Sequence, residues 1–349
     1  MNVHDPNGNL PVIRAHYADI LCQLAEELGV PRGALLGAAG IRRSLLGHPD
    51  NCLTVAQFTR LCEAALIRTG DDALGLAFGL RLKFTTHGSL AQAAISCDTL
   101  AEALSVLIRY FQTRFAYMTL VFFTDGDEAV LQLDPGHAFR NLYRFNVDVV
   151  MASLVDVGLL LFGDRLMTAG RCLVDFPAPA DPAPYRRLFA DRITFSAGVN
   201  QLRFACTLLE LPMALSNPVA RRVAEAQCEQ ELRSLQTVLS ARAQVRRCLG
   251  AVREGRLPGL DEVARQLGWS SRTLRRRLAS EGCRFQTLQE EVQHQRALVL
   301  LCRRALTLED VAEALGYSDP SNFARAFRKW EGMAPGTWRR RGAGTQSSR

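Results

Sequence analysis

Lysine is almost missing from this sequence, although 42 of its 349 residues are lysine or arginine. Only Lys83 and Lys329 are lysines, a bias that is typical of a GC-rich genome and indicates no function by itself. Long apolar runs are missing too. The most apolar segment, 147–162, contains Asp148 and Asp156, which a membrane span tolerates poorly. We therefore predict a protein that does not enter the membrane.

Residues 1–10 do not resemble a secretory signal, because no basic segment is followed by an apolar one. The ten cysteines are scattered from Cys22 to Cys302 with no CxxC pair, and the six histidines show no HxxxH or HExxH spacing. Buried free thiols in a cytoplasmic protein explain this pattern better than a disulfide framework does. We expect no metal site.

Common enzyme motifs are absent from the first 235 residues, which contain no GxGxxG, no GxxxxGK[ST] and no GxSxG. Asp71 and Asp72 form an acidic pair, but adjacent carboxylates on a helix point in different directions. We therefore expect neither catalytic activity nor a cofactor.

The net charge of +7 is distributed unevenly along the chain. From residue 240 onward there are 21 Arg or Lys against 11 Asp or Glu, a net of +10. Residues 1–239 hold 21 against 24, a net of −3. A basic region that follows a mildly acidic one predicts a polyanionic partner for the C-terminal region alone.

The N-terminal part of the sequence predicts a mixed α and β module of about two hundred residues. Residues 11–110 are mostly helical by their 3.6-residue apolar spacing, and another helix is predicted at 141–162. Alternating residues around Asp125-Gly126-Asp127 predict a hairpin over 116–134. Shorter strand-like segments at 171–176 and 191–204 flank the proline-rich loop 177–184.

Six aromatic residues are candidates for the lining of a ligand pocket, although their spacing is more typical of an ordinary hydrophobic core. They are Tyr110, Phe111, Phe115, Tyr117, Phe122 and Phe123. The residues that would bind an effector stay unknown at this point.

Asn217-Pro218 predicts a helix start, with an N-cap residue followed by proline at the first helical position. The residues that follow are strongly helical. Their short and irregular apolar spacing favours a linker helix over a coiled-coil dimer seam. We place a domain boundary at residue 235.

An internal repeat with an offset of 48 residues lies beyond this boundary, where DEVARQLGWS at 261–270 matches EDVAEALGYS at 309–318. Each copy predicts a short helix with a small residue, Ala264 or Ala312, that lets a second helix approach. Gly268 and Gly316 then permit a left-handed turn. This is the pattern of a helix-turn-helix (HTH).

A second helix follows in each copy. Ser270 is the predicted cap of the first, in which Leu274 and Leu278 face inward. The outward positions of this helix are Arg272, Arg275 and Arg276. Asp319 and Pro320 begin the second, whose inner stripe is Phe323, Phe327 and Trp330 and whose outward positions are Ser321, Asn322 and Arg325.

An exposed arginine face is ordinarily only a solvated surface, but here it lies on the second helix of a repeated HTH. In the major groove an arginine can donate two hydrogen bonds, to O6 and N7 of guanine. We therefore predict that the six outward residues read bases. The predicted phosphate contacts are Ser271, Thr273, Arg277, Arg328 and Lys329.

The segment between the two units, 285–306, predicts one long helix of roughly 30 Å. Such a spacer would hold both second helices toward one side of the duplex. They would then enter major-groove segments about 34 Å apart, one turn of DNA.

At 308–340 the sequence resembles the C-terminal signature of the AraC/XylS family of bacterial transcriptional regulators. The match is carried by the GYSDPSNFARAF core, by Gly332 and Pro335, and by the basic end Trp338-Arg339-Arg340. With the first HTH, the resemblance covers about 235–341. The N-terminal module is similar, over 87–112 and 185–204, to effector domains of the arabinose-binding-like type.

The resemblance implies an α+β N-terminal effector domain joined to an all-α C-terminal domain with two HTH units connected by a long helix. The implied domains are 1–235 for effector sensing and dimerisation, including the linker helix, 236–341 for DNA binding, and a flexible tail at 342–349. The base-reading positions of the family fall on the six outward residues. Arg272 stands where some members have an aromatic residue, which puts the contact at that base in doubt.

The implied function is that of a sequence-specific transcriptional activator that responds to a small-molecule effector. Its implied partners are double-stranded promoter DNA, RNA polymerase and a second copy of the chain, and its implied place is the cytoplasm, on the nucleoid. The alternative is an architectural DNA-binding protein with little sequence preference. Such a protein would prefer its best site by less than about tenfold, against ~10³ or more for a regulator.

Overall fold

A computed structural model describes residues 11–48, 51–116, 118–135, 140–163, 170–238, 240–250, 252, 255–303 and 306–344. The chain divides into two compact units, Met1–Val238 and Leu239–Arg349, which we call the N-terminal and C-terminal units. The boundary placed from the sequence was residue 235. Each unit has its own hydrophobic core.

The N-terminal unit contains nine described helices. They are α1 (Ala15–Glu27), α2 (Arg32–Ala39), α3 (Val55–Thr69), α4 (Leu74–Arg81), α5 (Ser89–Ile95), α6 (Leu100–Tyr110), α7 (Tyr143–Phe162), α8 (Ala183–Phe189) and α9 (Pro218–Val238).

Two sheets accompany these helices among the described residues. The small one pairs β1 (Pro11–Arg14) with β2 (Cys52–Thr54). The five-stranded sheet has the order β3-β4-β7-β5-β6 and is antiparallel except where β5 meets β6. Its strands are β3 (Thr119–Asp125), β4 (Glu128–Asp134), β5 (Arg171–Leu173), β6 (Ile193–Thr194) and β7 (Gln201–Ala205).

The predicted hairpin is confirmed, because β3 pairs with β4 in antiparallel register and Asp125 lies opposite Glu128. The turn between them needs Gly126, whose φ is +61°. The α+β class predicted for this unit is confirmed as well. The strands β1 and β2 were not predicted, because three or four residues are too few for a period-2 pattern to stand out.

Helix α7 is long and apolar enough to cross a membrane by length and composition, but it is a core helix of this unit. Asp148, near its centre, is 2% exposed and accepts a hydrogen bond from the Tyr185 hydroxyl at 2.6 Å. Burial raises the pKa of this carboxyl to about 7. The charge that argued against a membrane span is thus partnered inside the protein.

Helices α4 and α7 pack with their backbones in direct contact. A Cβ placed on Gly79 would lie 2.5 Å from the carbonyl oxygen of Val149, and one on Gly75 would lie 2.8 Å from that of Phe145. Real Cβ atoms do not approach other atoms this closely, so only glycine fits at either position.

The described part of the C-terminal unit is all-α, as predicted. Its described helices are α10 (Ala241–Gly250), α11 (Leu260–Gln266), α12 (Ser271–Ser280), α13 (Phe285–Leu301), α14 (Leu308–Ala314), α15 (Pro320–Glu331) and α16 (Pro335–Gly344). Helix α13 belongs to two hydrophobic clusters. Leu288 and Val292 pack with α10, α11 and α12, whereas Ala297, Leu300 and Leu301 pack with α14 and α15.

The long helix predicted over 285–306 is shorter in the structure, since α13 ends at Leu301 and is about 26 Å long. Arg339 caps the end of the helix. Its guanidinium donates to the carbonyl oxygens of Leu301, at 3.1 Å, and of Leu306, at 2.7 Å. A tertiary partner thereby satisfies a carbonyl that the next turn of helix would have used.

The tail predicted at 342–349 begins within α16, which continues to Gly344. Residues 345–349 lie outside the described part of the chain.

We predict that Gly79→Ala lowers the stability of the N-terminal unit by about 1–3 kcal/mol, because the new methyl group forces α4 and α7 apart. Differential scanning calorimetry of the full chain would show the unfolding transition of this unit at a lower temperature. Gly37→Ala is the matched control. Gly37 lies in α2 with nothing within 4 Å of its would-be Cβ, so alanine should stabilise by about 0.5–1 kcal/mol. Equal effects of both substitutions would contradict the close packing.

Candidate DNA-binding surface

The first predicted HTH consists of α11, a turn at Gly268 and α12. Gly268 has φ +69°, and the chain reverses so that the Trp269 N–H donates to the carbonyl oxygen of Ala264 at 2.8 Å. Ser270 caps α12, as predicted, because its hydroxyl accepts from the Thr273 N–H at 3.1 Å. Leu274 and Leu278 of α12 are buried beneath the helix.

The second HTH consists of α14, a turn at Gly316 and α15, with the same local geometry. Thr307 and Asp310 form a capping box at the start of α14. The Thr307 N–H donates to the Asp310 carboxylate at 2.7 Å, and the Asp310 N–H donates to the Thr307 hydroxyl at 3.1 Å. The Tyr317 N–H donates to the carbonyl oxygen of Ala312 at 2.9 Å. Asp319 caps α15 by accepting from the Ser321 N–H at 2.7 Å.

The six residues predicted to read bases are all exposed on the second helices of the two units. Arg272, Arg275 and Arg276 lie on α12, and Ser321, Asn322 and Arg325 lie on α15. Arg325 donates to the Asn322 side-chain oxygen, so these two side chains orient each other. The structure thus brings together on one helix face each group of three that the sequence analysis selected.

Four of the five predicted phosphate contacts have partners within the described part of the protein, and the fifth, Arg328, is exposed on α15. The Ser271 hydroxyl donates to the Asp261 carboxylate, and the Thr273 hydroxyl lies 2.9 Å from that of Ser270. The Arg277 guanidinium stacks over the Trp269 ring at 4.2 Å. Lys329 Nζ lies 3.5 Å from a Glu290 carboxylate oxygen.

The two HTH units are joined by a contact that the sequence analysis missed. A loop after α10 brings Gly255 to α14, where its N–H donates to the carbonyl oxygen of Ala314 at 2.8 Å. Arg296 of α13 donates to the carbonyl oxygens of both Gly255, at 3.0 Å, and Ala314, at 3.2 Å. We call this set of contacts the interunit clamp, because it joins the two HTH units within the C-terminal unit.

Gly316 lies within the interunit clamp and is fixed there by two requirements. Its φ is +81°, and a Cβ on it would lie 2.6 Å from the Arg256 backbone nitrogen. The equivalent Gly268 has only the first requirement, since nothing lies within 4 Å of its would-be Cβ. The sequence did contain one signal of this contact. Arg296 is a charged residue among the apolar residues of α13, and it does not lie on the exposed face of that helix.

The paired helix-turn-helix units, each with a capped and exposed second helix, define a DNA-binding protein of the transcription-regulator class. Residues 29–213 match the family described as the arabinose-binding domain of AraC transcription regulator, N-term, and residues 263–341 match a helix-turn-helix domain. The chain belongs to the AraC family of transcription regulators. It is therefore a regulator and not an enzyme.

Two relatives match along almost their whole length. The ornithine utilization regulator of Pseudomonas aeruginosa is 34% identical over 333 residues, which cover 95% of this chain and 98% of that protein. An uncharacterised HTH-type transcriptional regulator of Mycobacterium tuberculosis is 29% identical over 335 residues, which cover 93% of this chain and 95% of that protein. A crystal structure of the transcriptional regulator CdpR from Pseudomonas aeruginosa aligns over 88% of this chain and 96% of that one, with 24% identity and a TM-score of 0.42.

We predict that Gly316→Ala destabilises the C-terminal unit more than Gly268→Ala. Both substitutions put alanine in a left-handed conformation, at about 1–2 kcal/mol each, but only the first also displaces the backbone of Arg256.

The three tryptophans of the chain, Trp269, Trp330 and Trp338, all lie in the C-terminal unit, so tryptophan fluorescence during urea unfolding of the full protein reports on this unit. A midpoint for Gly316→Ala at or above that of Gly268→Ala would show that the close approach at Arg256 has no energetic weight.

Proposed function

We propose that this regulator is sequence-specific and inserts α12 and α15 into adjacent major-groove segments of promoter DNA. One observation carries the proposal: two capped helices of one packed unit expose arginines at equivalent positions, Arg276 and Arg325. The side chains of a helix in the major groove can reach the base edges. A net charge of +10 from residue 240 onward supplies attraction to the phosphates at any sequence.

The five phosphate contacts predicted from the sequence remain part of the proposal. Arg277 is supported by its position over Trp269, which holds the guanidinium in one place without removing its charge. Ser271 would have to release Asp261 before it donated to a phosphate, so we expect its contribution to be the smallest.

Each of the substitutions Arg276→Ala and Arg325→Ala should cost about 1–3 kcal/mol on the preferred site and relax the preference at one base pair, because a bidentate base contact is lost. The two affected positions should lie ~10 bp apart. Selection from randomised DNA, followed by binding titrations at fixed salt, measures both effects.

Arg265→Ala is the control for these substitutions. Arg265 is an exposed arginine of the same unit but lies on α11, so its removal takes away the same charge and should leave base preference unchanged. If all three variants lose affinity equally for every sequence, α12 and α15 do not read bases. A wild-type preference below about tenfold would favour the architectural alternative.

We further propose that two copies of the chain associate through the start of α9. Leu215, Val219 and Val223 are 62%, 61% and 67% exposed, and the two valines, four residues apart, share one face of the helix. Exposed apolar residues that cluster in this way are typical of an interaction site. A dimer would place two C-terminal units on one promoter and raise the effective concentration of the second.

As an activator the protein would recruit RNA polymerase to that promoter, and as an effector-responsive regulator it would do so when the N-terminal unit is occupied. The effector response is supported by the match of residues 29–213 to the arabinose-binding domain of AraC transcription regulator. Transcription regulators of this family are soluble cytoplasmic proteins, and we place this one on the nucleoid.

Val223→Glu should weaken self-association by at least about tenfold, because a carboxylate would be buried in an apolar contact. Sedimentation velocity over a range of protein concentrations measures this. Ile67→Glu is the control, since Ile67 is 81% exposed on α3, away from α9 in sequence. A wild-type protein that sediments as a monomer at micromolar concentration, both free and on DNA, would contradict the dimer.

A further inference from the structure

A cavity of about 180 Å³ lies in the N-terminal unit between α5, α6, α7 and the five-stranded sheet. Most of its wall is hydrocarbon, contributed by residues such as Leu90, Leu104, Phe111, Phe115, Val150 and Phe204. An apolar cavity of about 150 Å³ in another protein stays free of water and binds benzene. The volume and the lining therefore fit a small apolar molecule with one or two rings.

The polar groups in the inner wall are His87 and Ser153, whose Nε2 and Oγ atoms lie 3.3 Å apart. Burial, together with the charge of Arg114, lowers the pKa of His87 to about 4, so the ring is neutral. Burial raises the pKa of the Tyr17 hydroxyl, which keeps its proton and lies 3.1 Å from His87 Nδ1.

These contacts assign the protons of the inner wall. Tyr17 donates to Nδ1, which leaves the proton of His87 on Nε2, facing Ser153. The Ser153 hydroxyl donates to the carbonyl oxygen of Leu82 at 3.4 Å. Ser153 Oγ accepts from His87 and keeps one lone pair that can accept a further hydrogen bond. A ligand in the cavity thus meets an acceptor, which selects for an N–H or O–H group.

The arginines among the lining residues do not form a simple anion site. Side chains alternate along a strand, so Arg171 and Arg203 point away from the sheet face that carries Cys172 and Phe204. Arg171 donates to both carboxylate oxygens of Glu128, at 2.9 and 2.6 Å. Arg203 pairs with Asp125 at 2.9 Å and with Glu128 at 2.8 Å. The third arginine among the lining residues is Arg192, whose side chain is exposed. An anionic or zwitterionic ligand would have to leave water for a hydrocarbon wall and compete with carboxylates already in place.

Helix α5 separates the cavity from α9, the last helix before the C-terminal unit. Leu90 and Ala94 of α5 line the cavity, while Ala93 packs in the cluster that contains Ala224 and Cys228 of α9. Any displacement of α5 by a ligand therefore changes the packing contacts of α9.

An ion pair between Arg114, which follows α6, and Glu231 of α9 also contacts the first residue of α5. Arg114 is 8% exposed, and it donates to the His87 carbonyl oxygen at 2.8 Å, to Ser89 Oγ at 2.8 Å and to the Glu231 carboxylate of α9. Burial alone would raise the pKa of Glu231, but Arg114 holds it below its usual value, so the carboxylate is charged. Ser89 also donates to Glu231, at 2.9 Å.

We propose that this cavity binds a neutral, largely apolar molecule of one or two rings with a single N–H or O–H donor, which Ser153 Oγ accepts. We also propose that the Arg114–Glu231 pair transmits its occupancy to α9. The inference rests on the proposed effector response and names the chemical class of the effector.

Four matched probes test the ligand class by isothermal titration of the full protein without DNA, up to about 1 mM. Indole carries two rings and one N–H and should bind. 1-Methylindole lacks the donor and should bind about fivefold more weakly, the effect of one neutral hydrogen bond. L-Tryptophan, the zwitterion with the same rings, and the anion indole-3-acetate should not bind. No binding of indole, or tighter binding of indole-3-acetate, would overturn the proposal.

The variant Ser153→Ala should bind indole and 1-methylindole equally, because the acceptor is gone. Ser105→Ala is its control, since Ser105 is exposed on α6 and donates to its own helix at 3.0 Å. An unchanged preference for indole in Ser153→Ala would overturn the assignment of the acceptor.

The transmission step is tested with DNA selected from a random pool. Indole should change the affinity of the wild type for this DNA, whereas Glu231→Gln should still bind indole but lose the change in DNA affinity. An intact DNA response in Glu231→Gln would overturn the role of the ion pair. Failure of the protein to prefer any DNA sequence, with indole binding intact, would count instead against the proposed function.

Discussion

Two helices can read one stretch of DNA only if the protein fixes their separation and relative rotation. In this chain the interunit clamp links the two HTH units, since Arg296 donates to carbonyl groups on both sides and Gly316 allows the Arg256 backbone to approach. Backbone groups have few conformations, so contacts between them allow less relative movement than contacts between long side chains do. The exposed arginines of α12 and α15 depend on this clamp for their register.

Helix α13 makes the clamp possible because it belongs to both halves of the C-terminal unit. Its first half packs in one hydrophobic cluster and its second half in the other, so neither HTH has a core that is complete without it. Arg339 caps the end of α13 by donating to the carbonyl oxygens of Leu301 and Leu306. The residue that caps this spacer thus lies in α16, 38 positions further along the chain.

Two of the buried polar contacts in the N-terminal unit join helices to other elements. Asp148 of α7 faces Tyr185 of α8, and Arg114 faces Glu231 of α9. Removing one partner of a buried pair is costly, whereas the intact pair adds little net stability, so such pairs specify which elements meet more than how stable they are. The Arg114–Glu231 pair holds α9, from which the chain continues into the C-terminal unit.

The sequence alone determined the features that local chemistry sets. Caps such as Ser270 and Asp319 act within three residues, the hairpin needs only Gly126 between alternating residues, and the outward faces of α12 and α15 follow from helical spacing. Only the tertiary structure decided which distant residues meet. It placed Phe111 and Phe115 at a cavity but Tyr110 in a core, and Tyr117 lies outside the described residues. It also paired Arg114 with a carboxylate 117 positions away. Periodicity carries no information over such separations, because they are set by packing between elements and not by the backbone geometry within one.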